Sequence, residues 1–269
     1  MSAFDTYVDQ SGVNWSTLKH LRRSPLHYRH ALQTESADTT SRLTGRALHT
    51  AVMEPHDFDE RYPVFDGDRR GPAWKEFQAA HPGAEILRRV EADAVQAQAA
   101  AVRAHPAAGP MLESATHREH ALRWTDPVTG IECKGLLDLV GDGWIADLKG
   151  TGDLALFERL AIRDGYHLQL AWYRWGWSVA HGCPPPRARL LPVEVKPPHD
   201  VAVYELSPTL LSIADREIRG LLDLLHRCRT LDVWPGRSPL LEVMEAPAWM
   251  IPDLEIPDEG LELPDDLEL

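Results

Sequence analysis

Asp138, Asp147 and Lys149 lie within a dozen residues of one another in this chain and are of types that could share one reaction. Between the aspartates sits Asp142-Gly143, a two-residue hairpin signal, since a type I′ turn needs positive φ at both central positions. With that loop, Gly141 faces Trp144 and Asp138 faces Asp147, and opposed Cβ atoms stand about 4.5 to 5.5 Å apart. Lys149, two residues beyond Asp147, projects from the same face. Carboxylates that close repel, and left bare they raise a pKa and cost stability. A divalent cation resolves the conflict. Oxygen ligands of this kind suit Mg²⁺ or Mn²⁺, which activates water and stabilises charge developing on a phosphate. Lys149 would orient that water and help neutralise the oxyanion. An isolated Asp-x-Lys is more often a surface ion pair worth little, so the chemistry has to rest on more than these residues.

Hydrophobic spacing supplies elements to carry them. Residues 119–124, 131–140 and 144–149 are short apolar segments separated by turn residues and read as an antiparallel meander. Upstream, 11–31 reads as helical, with Asn14 or Ser16 as cap and an interruption at Pro25, and 42–54 reads as a second helix ending near Pro55. The stretch 57–82 reads as loop, followed by an Ala-rich helix over 85–104. Downstream come a helix over 166–180, strands over 187–196 and 201–206, and a helix with Ser207 as cap and Pro208 at its first position. The core order is α, β, β, β, α, β, β, α.

The 269 residues are 43% hydrophobic and 26% charged, ordinary for one sizeable globular domain. No apolar run approaches the roughly 18 residues that span a bilayer, and the N-terminus lacks a signal-peptide pattern, so a cytoplasmic location is expected. Cys133, Cys183 and Cys228 are widely separated, which indicates free thiols rather than a zinc knuckle or disulfide framework. A net charge of -13 is unexpected for a nucleic-acid enzyme, yet ten acids and no Lys or Arg fall in residues 241–269 and account for most of it. This divides the chain into a single domain over 1–240 and an acidic, Pro-rich tail over 241–269. The body can then carry a basic groove, with Arg22-Arg23 and Arg69-Arg70 as lining.

Gly135-Leu136-Leu137-Asp138 followed by Asp147-Leu148-Lys149 resembles the G-x-x-D and (D/E)-x-K halves of the PD-(D/E)XK nuclease motif, with Leu137 in place of Pro and Asp147 in place of Glu. Gly45-Arg46-Ala47-Leu48-His49, continued by Glu54-Pro55, resembles the G-x-x-x-H signature of the RecB/RecE branch. Gln169-Leu170-Ala171-Trp172-Tyr173 resembles its Q-x-x-x-Y signature. Asn14-Trp15-Ser16-Thr17-Leu18 through Ser24-Pro25 and Tyr28 is similar to the branch's N-terminal helix. From about residue 7 to 250 the chain resembles the nuclease domain of the RecE-type exodeoxyribonuclease VIII family.

The resemblance implies an α/β (α+β) fold with a restriction-endonuclease-like core, a central mixed sheet with the antiparallel meander flanked by helices. It implies His49, Asp138 and Asp147 as metal ligands with the Leu148 carbonyl, and Lys149, Gln169 and Tyr173 beside them in catalysis. Ser16 matches a position that contacts a terminal phosphate, although a helix cap explains it equally well. Arg46, Arg69 and Arg70 complete the DNA-side set. Glu119 would add a carboxylate if the turn at 125–130 sets it in register with Asp138. Taken singly, His49 is more often a structural helix histidine, and Gln169 with Tyr173 a core aromatic beside an amide.

The implied activity is Mg²⁺-dependent hydrolysis of linear double-stranded DNA from an end, 5′ to 3′, leaving 3′ overhangs for homologous recombination. The chemistry follows from the residues, whereas polarity and end preference come from the resemblance alone. So do a ring-shaped homotetramer and a partner that anneals single strands. The alternatives are an endonuclease or CRISPR-adaptation-type nuclease of the same superfamily, and a non-catalytic DNA-binding module on the same fold. Iron-sulfur members of the superfamily need four cysteines, which the spacing here does not offer.

Overall fold

Local capping chemistry starts each N-terminal helix. The structure is a computed structural model that describes residues 7, 10–34, 39–238 and 240–247. The Asn14 side chain accepts from Thr17 N and caps α1 (Trp15–Leu18). A 3₁₀ turn, Lys19–Arg22, follows, and Ser24 caps α2 (Pro25–Gln33). Pro25 therefore opens a new helix rather than interrupting one, as its fixed φ and missing N–H allow in a first turn. Thr39 caps α3 (Thr40–Met53).

The stretch 57–82 is not the loop its composition suggests. It holds α4 (Phe58–Arg61), β1 (Val64–Phe65) and α5 (Gly71–Ala80). Gly71 and Pro72, read as loop punctuation, are a helix start: Gly71 has φ 81 and the proline sits in the first turn. β2 (Leu87–Arg88) pairs in parallel with β1, and α6 (Arg89–Ala104) and α7 (Ala108–Ser114) follow.

The meander forms as β3 (His117–Thr125), β4 (Glu132–Gly141) and β5 (Trp144–Thr151). Next come α8 (Phe157–Asp164), which the apolar pattern did not reveal, then α9 (Tyr166–His181) and β6 (Arg187–Glu194). β7 spans only Tyr204–Glu205, shorter than expected, with an isolated bridge from Val201 to Val193. Ser207 caps α10 (Pro208–Leu231). The five strands lie in the order β3-β4-β5-β6-β7, with β5 and β6 parallel and the other pairs antiparallel.

Both faces of this mixed sheet are covered. Leu122, Trp124 and Leu190 pack with Leu18, Leu168, Trp172 and Leu222 from α1, α9 and α10. Leu139, Leu148 and Leu191 pack on the other face with Leu48, Val52, Val95 and Val102 from α3 and α6. All elements named here fall within Met1–Arg237, one of two units into which contacts divide the chain; Ser238–Leu269 is the other. Of the acidic tail, residues 240–247 carry no helix or strand and residues 248–269 lie outside the described residues.

The β3–β4 turn is clamped from α10. Arg219 Nη1 and Nη2 each donate to Asp126 at 2.8 Å, and Thr129 donates to it through both N (3.0 Å) and Oγ1. Burial works against this fully buried carboxylate, but Arg219 and Thr129 outweigh it and hold its pKa at about 2. A depressed carboxyl stabilises the fold above its unfolded pKa and loses that contribution as pH falls through the folded value. Here the window runs from about pH 4 to pH 2, and the contribution is about 2 kcal/mol. In urea unfolding, Asp126→Asn is expected to lose about that much at pH 7 and to flatten the stability profile across the window; an unchanged acid limb would contradict the clamp.

Candidate active site

The strands separate where the acids lie. β3 and β4 pair through Arg118↔Leu139 and His120↔Leu137, which sets Glu119 opposite Asp138 without pairing them. On the other side the β4–β5 ladder runs from Gly141↔Trp144 to Leu139↔Ala146 and ends one step before Asp138 and Asp147. The hairpin register is the expected one, but an opposed pair on an open strand face does not form. Asp138 and Asp147 are buried, 6% and 1% exposed, and Asp138 Oδ2 reaches into the gap to accept from Leu148 N at 2.7 Å. Nor is the turn type I′, because only Gly143 of the central pair has positive φ.

Two further features mark this row. Glu119 has φ 46, a left-handed conformation that costs a non-glycine residue and is tolerated where the surroundings over-determine it. Leu137 and Val140 pack toward α9 and α10 while Leu139 packs toward α3 and α6, so the face alternation of β4 slips by one residue around Asp138. The carboxylate thus sits at the boundary between the two core layers.

α3 brings in the histidine. Its Ala47, Leu48, Ala51 and Val52 are buried in the core, and His49 sits between them and the strands. His49 Nδ1 lies 3.5 Å from Asp138 Oδ2 and 3.6 Å from Glu119 Oε1. One donor atom from each of His49, Glu119 and Asp138 lies within 4.8 Å of the others, a spacing that a single cation can bridge. Burial works against a charged imidazole, but Asp138 and Glu119 outweigh it and lift His49 to about 9. Asp138 is pushed up by burial and by Glu119, against the pull of His49.

Asp147 and Lys149 form the neighbouring half. The Lys149 ammonium pairs with Asp147 Oδ2, a buried oxygen with no further partner among the described residues. Burial lifts Asp147 to about 6 in spite of Lys149. Burial opposes charge on Lys149 as well, and Asp147 and Asp138 more than offset it. A buried carboxylate held by a single ammonium, beside a His-Glu-Asp donor set, suits a divalent cation ligated by oxygen and imidazole.

α9 closes the site from the other layer. Gln169 Nε2 donates to Tyr173 Oη at 2.9 Å, and the charge of Asp147 reaches Tyr173. Gly135 of the G-x-x-D segment is explained by this helix, because an added Cβ there would meet the Tyr173 ring at 2.9 Å. Sequence reasoning missed Tyr166, whose ring centroid lies 4.9 Å from Lys149 Nζ. Its place one turn ahead of Gln169 on the same helix face was the available signal.

The other candidates lie elsewhere. Ser16 is exposed and donates to Asn14 Oδ1 at 2.9 Å, while Asn14 itself is the helix cap. Arg46 pairs with Glu85. Arg69 donates to Ile86 O at 2.6 Å and Glu91 Oε2 at 3.3 Å, and Arg70 is exposed. Leu148 enters the site through its N–H. Among the described residues no helix is long and apolar enough to cross a membrane.

Comparison with known proteins places this geometry. The chain is similar to a crystal structure from Eubacterium rectale named for an inferred exonuclease activity, at 13% identity and TM-score 0.60, over 92% of this chain and 95% of that one. It also matches SSO0001 at 16% identity, over 70% of this chain and 87% of that one, but with a TM-score of 0.27 that likeness carries no argument. No curated protein matches the sequence. The first likeness is one of fold. A family profile described as "PDDEXK-like domain of unknown function (DUF3799)" matches residues 14–247. The chain therefore belongs to this PDDEXK-like family, within the PD-(D/E)XK nuclease superfamily.

Proposed function

We propose that this protein is a Mg²⁺-dependent deoxyribonuclease that digests linear double-stranded DNA from an end. The observation that carries the reading is the gathering of His49, Glu119, Asp138, Asp147 and Lys149 from α3, β3, β4 and β5 around the gap between β4 and β5. Asp138, Glu119 and His49 would hold the cation, with Asp147 Oδ2 as a further donor and the Leu148 carbonyl as the ligand suggested by family resemblance. A bound divalent cation supplies Lewis acidity toward the phosphodiester and the attacking water.

The remaining chemistry belongs to the chain. Lys149, held beside Asp147, offers positive charge where an oxyanion develops. Gln169 and Tyr173, tied to one another, stiffen the wall behind it. Burial of both aspartates excludes bulk water and strengthens each charge contact.

The branch resemblance supports the finer reading: 5′ to 3′ digestion leaving 3′ overhangs, action as a ring homotetramer in the cytoplasm, and hand-over to a single-strand-annealing recombination protein. The discriminating assay compares linear and covalently closed circular duplex with Mg²⁺ and with EDTA. Digestion of linear DNA alone, abolished by EDTA, is the expected result. Cutting of closed circles would make the protein an endonuclease, and inertness toward both would make it a binding module.

A further inference from the structure

We infer that a second site, apart from the catalytic centre, holds a backbone phosphate of the DNA substrate; this rests on the nuclease reading. Its core is a cavity of about 360 Å³ lined by Thr40, Gly67, Asp68, Arg69, Arg70 and Arg88. Residues this far apart in sequence meet because β1 and β2 run parallel and side by side, each followed by a helix: α5 after β1 and α6 after β2. Crevices at the carboxyl ends of parallel strands, where helices begin, are where such folds take up anionic ligands.

The cavity carries more cation than its own acids balance. Glu91 binds two of the three guanidiniums: Arg69 Nη2 at 3.3 Å and Arg88 Nε at 2.8 Å. Arg69 is further fixed by Ile86 O and by the Trp74 ring, 5.7 Å from its centroid. Among the described residues Asp68 is the one acid on the wall itself. Arg70 has no ion pair or side-chain hydrogen bond among the described residues, so its charge is uncommitted. Three helices of ten or more residues also start here, α3 at Thr40, α5 after Arg70 and α6 after Arg88, and α5 has no side-chain cap on its first amides. Those amides add to what the arginines already supply.

The position suits the same duplex that the catalytic centre would cut. Thr40 opens the helix that carries His49, nine residues and about 13 Å along its axis, the rise of about four base pairs. Arg42, Arg46 and His49 recur at spacings of four and three along that helix and so share a face. Lys19 feels the charges of both Arg42 and Lys149, with Asp164 opposing them. Duplex DNA lying along α3 would meet the arginine cavity at the helix start and the reacting groups near His49.

The test is duplex binding by fluorescence anisotropy, with the full chain in EDTA to prevent cutting, across a salt series. Arg70→Glu is expected to weaken binding about tenfold at low salt and to reduce the slope of log affinity against log salt by about one, the signature of one lost phosphate contact. Arg70→Lys, which keeps the charge, is expected to retain most of both. Arg70 is exposed at a helix start, where an acidic replacement favours the helix, so the variant should fold. Equal affinity and slope in wild type and Arg70→Glu, with wild type still cutting DNA, would overturn the site and leave the nuclease reading intact. Wild type that neither binds nor cuts duplex would remove both. A third outcome also overturns it: inorganic phosphate raises the Tm of wild type but not of Arg70→Glu, while duplex affinity stays equal, so that the cavity serves free phosphate.

Discussion

Asp138→Asn is expected to lower DNA cleavage on the order of 10³-fold, the upper range for deleting one preorganised charge contact at a transition state. Asn keeps an oxygen to accept from Leu148 N, so the gap between β4 and β5 stays filled. What it loses is the charge shared with His49 and Glu119. Without metal that charge works against folding, because burial and Glu119 raise the carboxyl's pKa. A group raised in this way destabilises the fold where it is ionised, but the same variant leaves the His49 imidazolium without its main carboxylate, so the Tm of Asp138→Asn in EDTA is expected close to that of wild type. Asp147→Asn is expected to match the loss of activity but not the Tm, since it leaves Lys149, only 17% exposed, without its carboxylate partner. Activity within a few-fold of wild type in either variant, with the fold intact, would contradict the assignment of these acids.

Metal affinity is expected to climb steeply with pH, approaching tenfold per unit between about pH 7 and 9. His49 holds a proton up to about 9 through Asp138 and Glu119, and an imidazole must lose that proton to become a ligand. The sign follows: below pH 9 protons compete with the cation, and raising the pH removes the competitor. In the metal-free protein the same raised pKa gives stability that is full below the unfolded value, near 6.5, and lost as pH passes 9. Calorimetric titration with Mg²⁺ or Mn²⁺ in buffers of different ionisation enthalpy reads the proton release directly. His49→Ala is expected to weaken binding ten- to a hundredfold and to flatten the pH slope, and Glu119→Gln to weaken it with the slope retained. An unchanged half-saturating metal concentration in His49→Ala would make His49 a structural residue.

Much of the architecture was legible because it is local. Short apolar runs over 131–140 and 144–149 dictate strands, Asp142-Gly143 dictates a two-residue loop, and together they set the register from Gly141↔Trp144 to Leu139↔Ala146, which ends one step before Asp138 and Asp147. Ser207-Pro208 opens α10 as its types require. Where one residue type serves two purposes, composition misled: Gly71-Pro72 suits a loop and a helix start equally, and packing of Trp74 and Phe77 against Phe65 settles it.

The candidate site divides along the same line. Residue types and spacing determined by themselves that carboxylates and an ammonium would share a hairpin, since strand periodicity needs no other part of the chain. Only the tertiary structure decided that the strands part around Asp138, because that depends on a carboxylate bonded to the Leu148 amide and on the two core layers of helices packed against the sheet. It also decided that Glu119 joins the metal-capable group. The register of β3 is set through a turn clamped by Arg219, 93 residues away in sequence. The meeting of Arg69, Arg70 and Arg88 at the start of α3 is likewise a product of parallel pairing between β1 and β2. Contacts between distant segments are chosen by burial and charge compensation across the whole fold, and nothing in the local pattern of either segment encodes them.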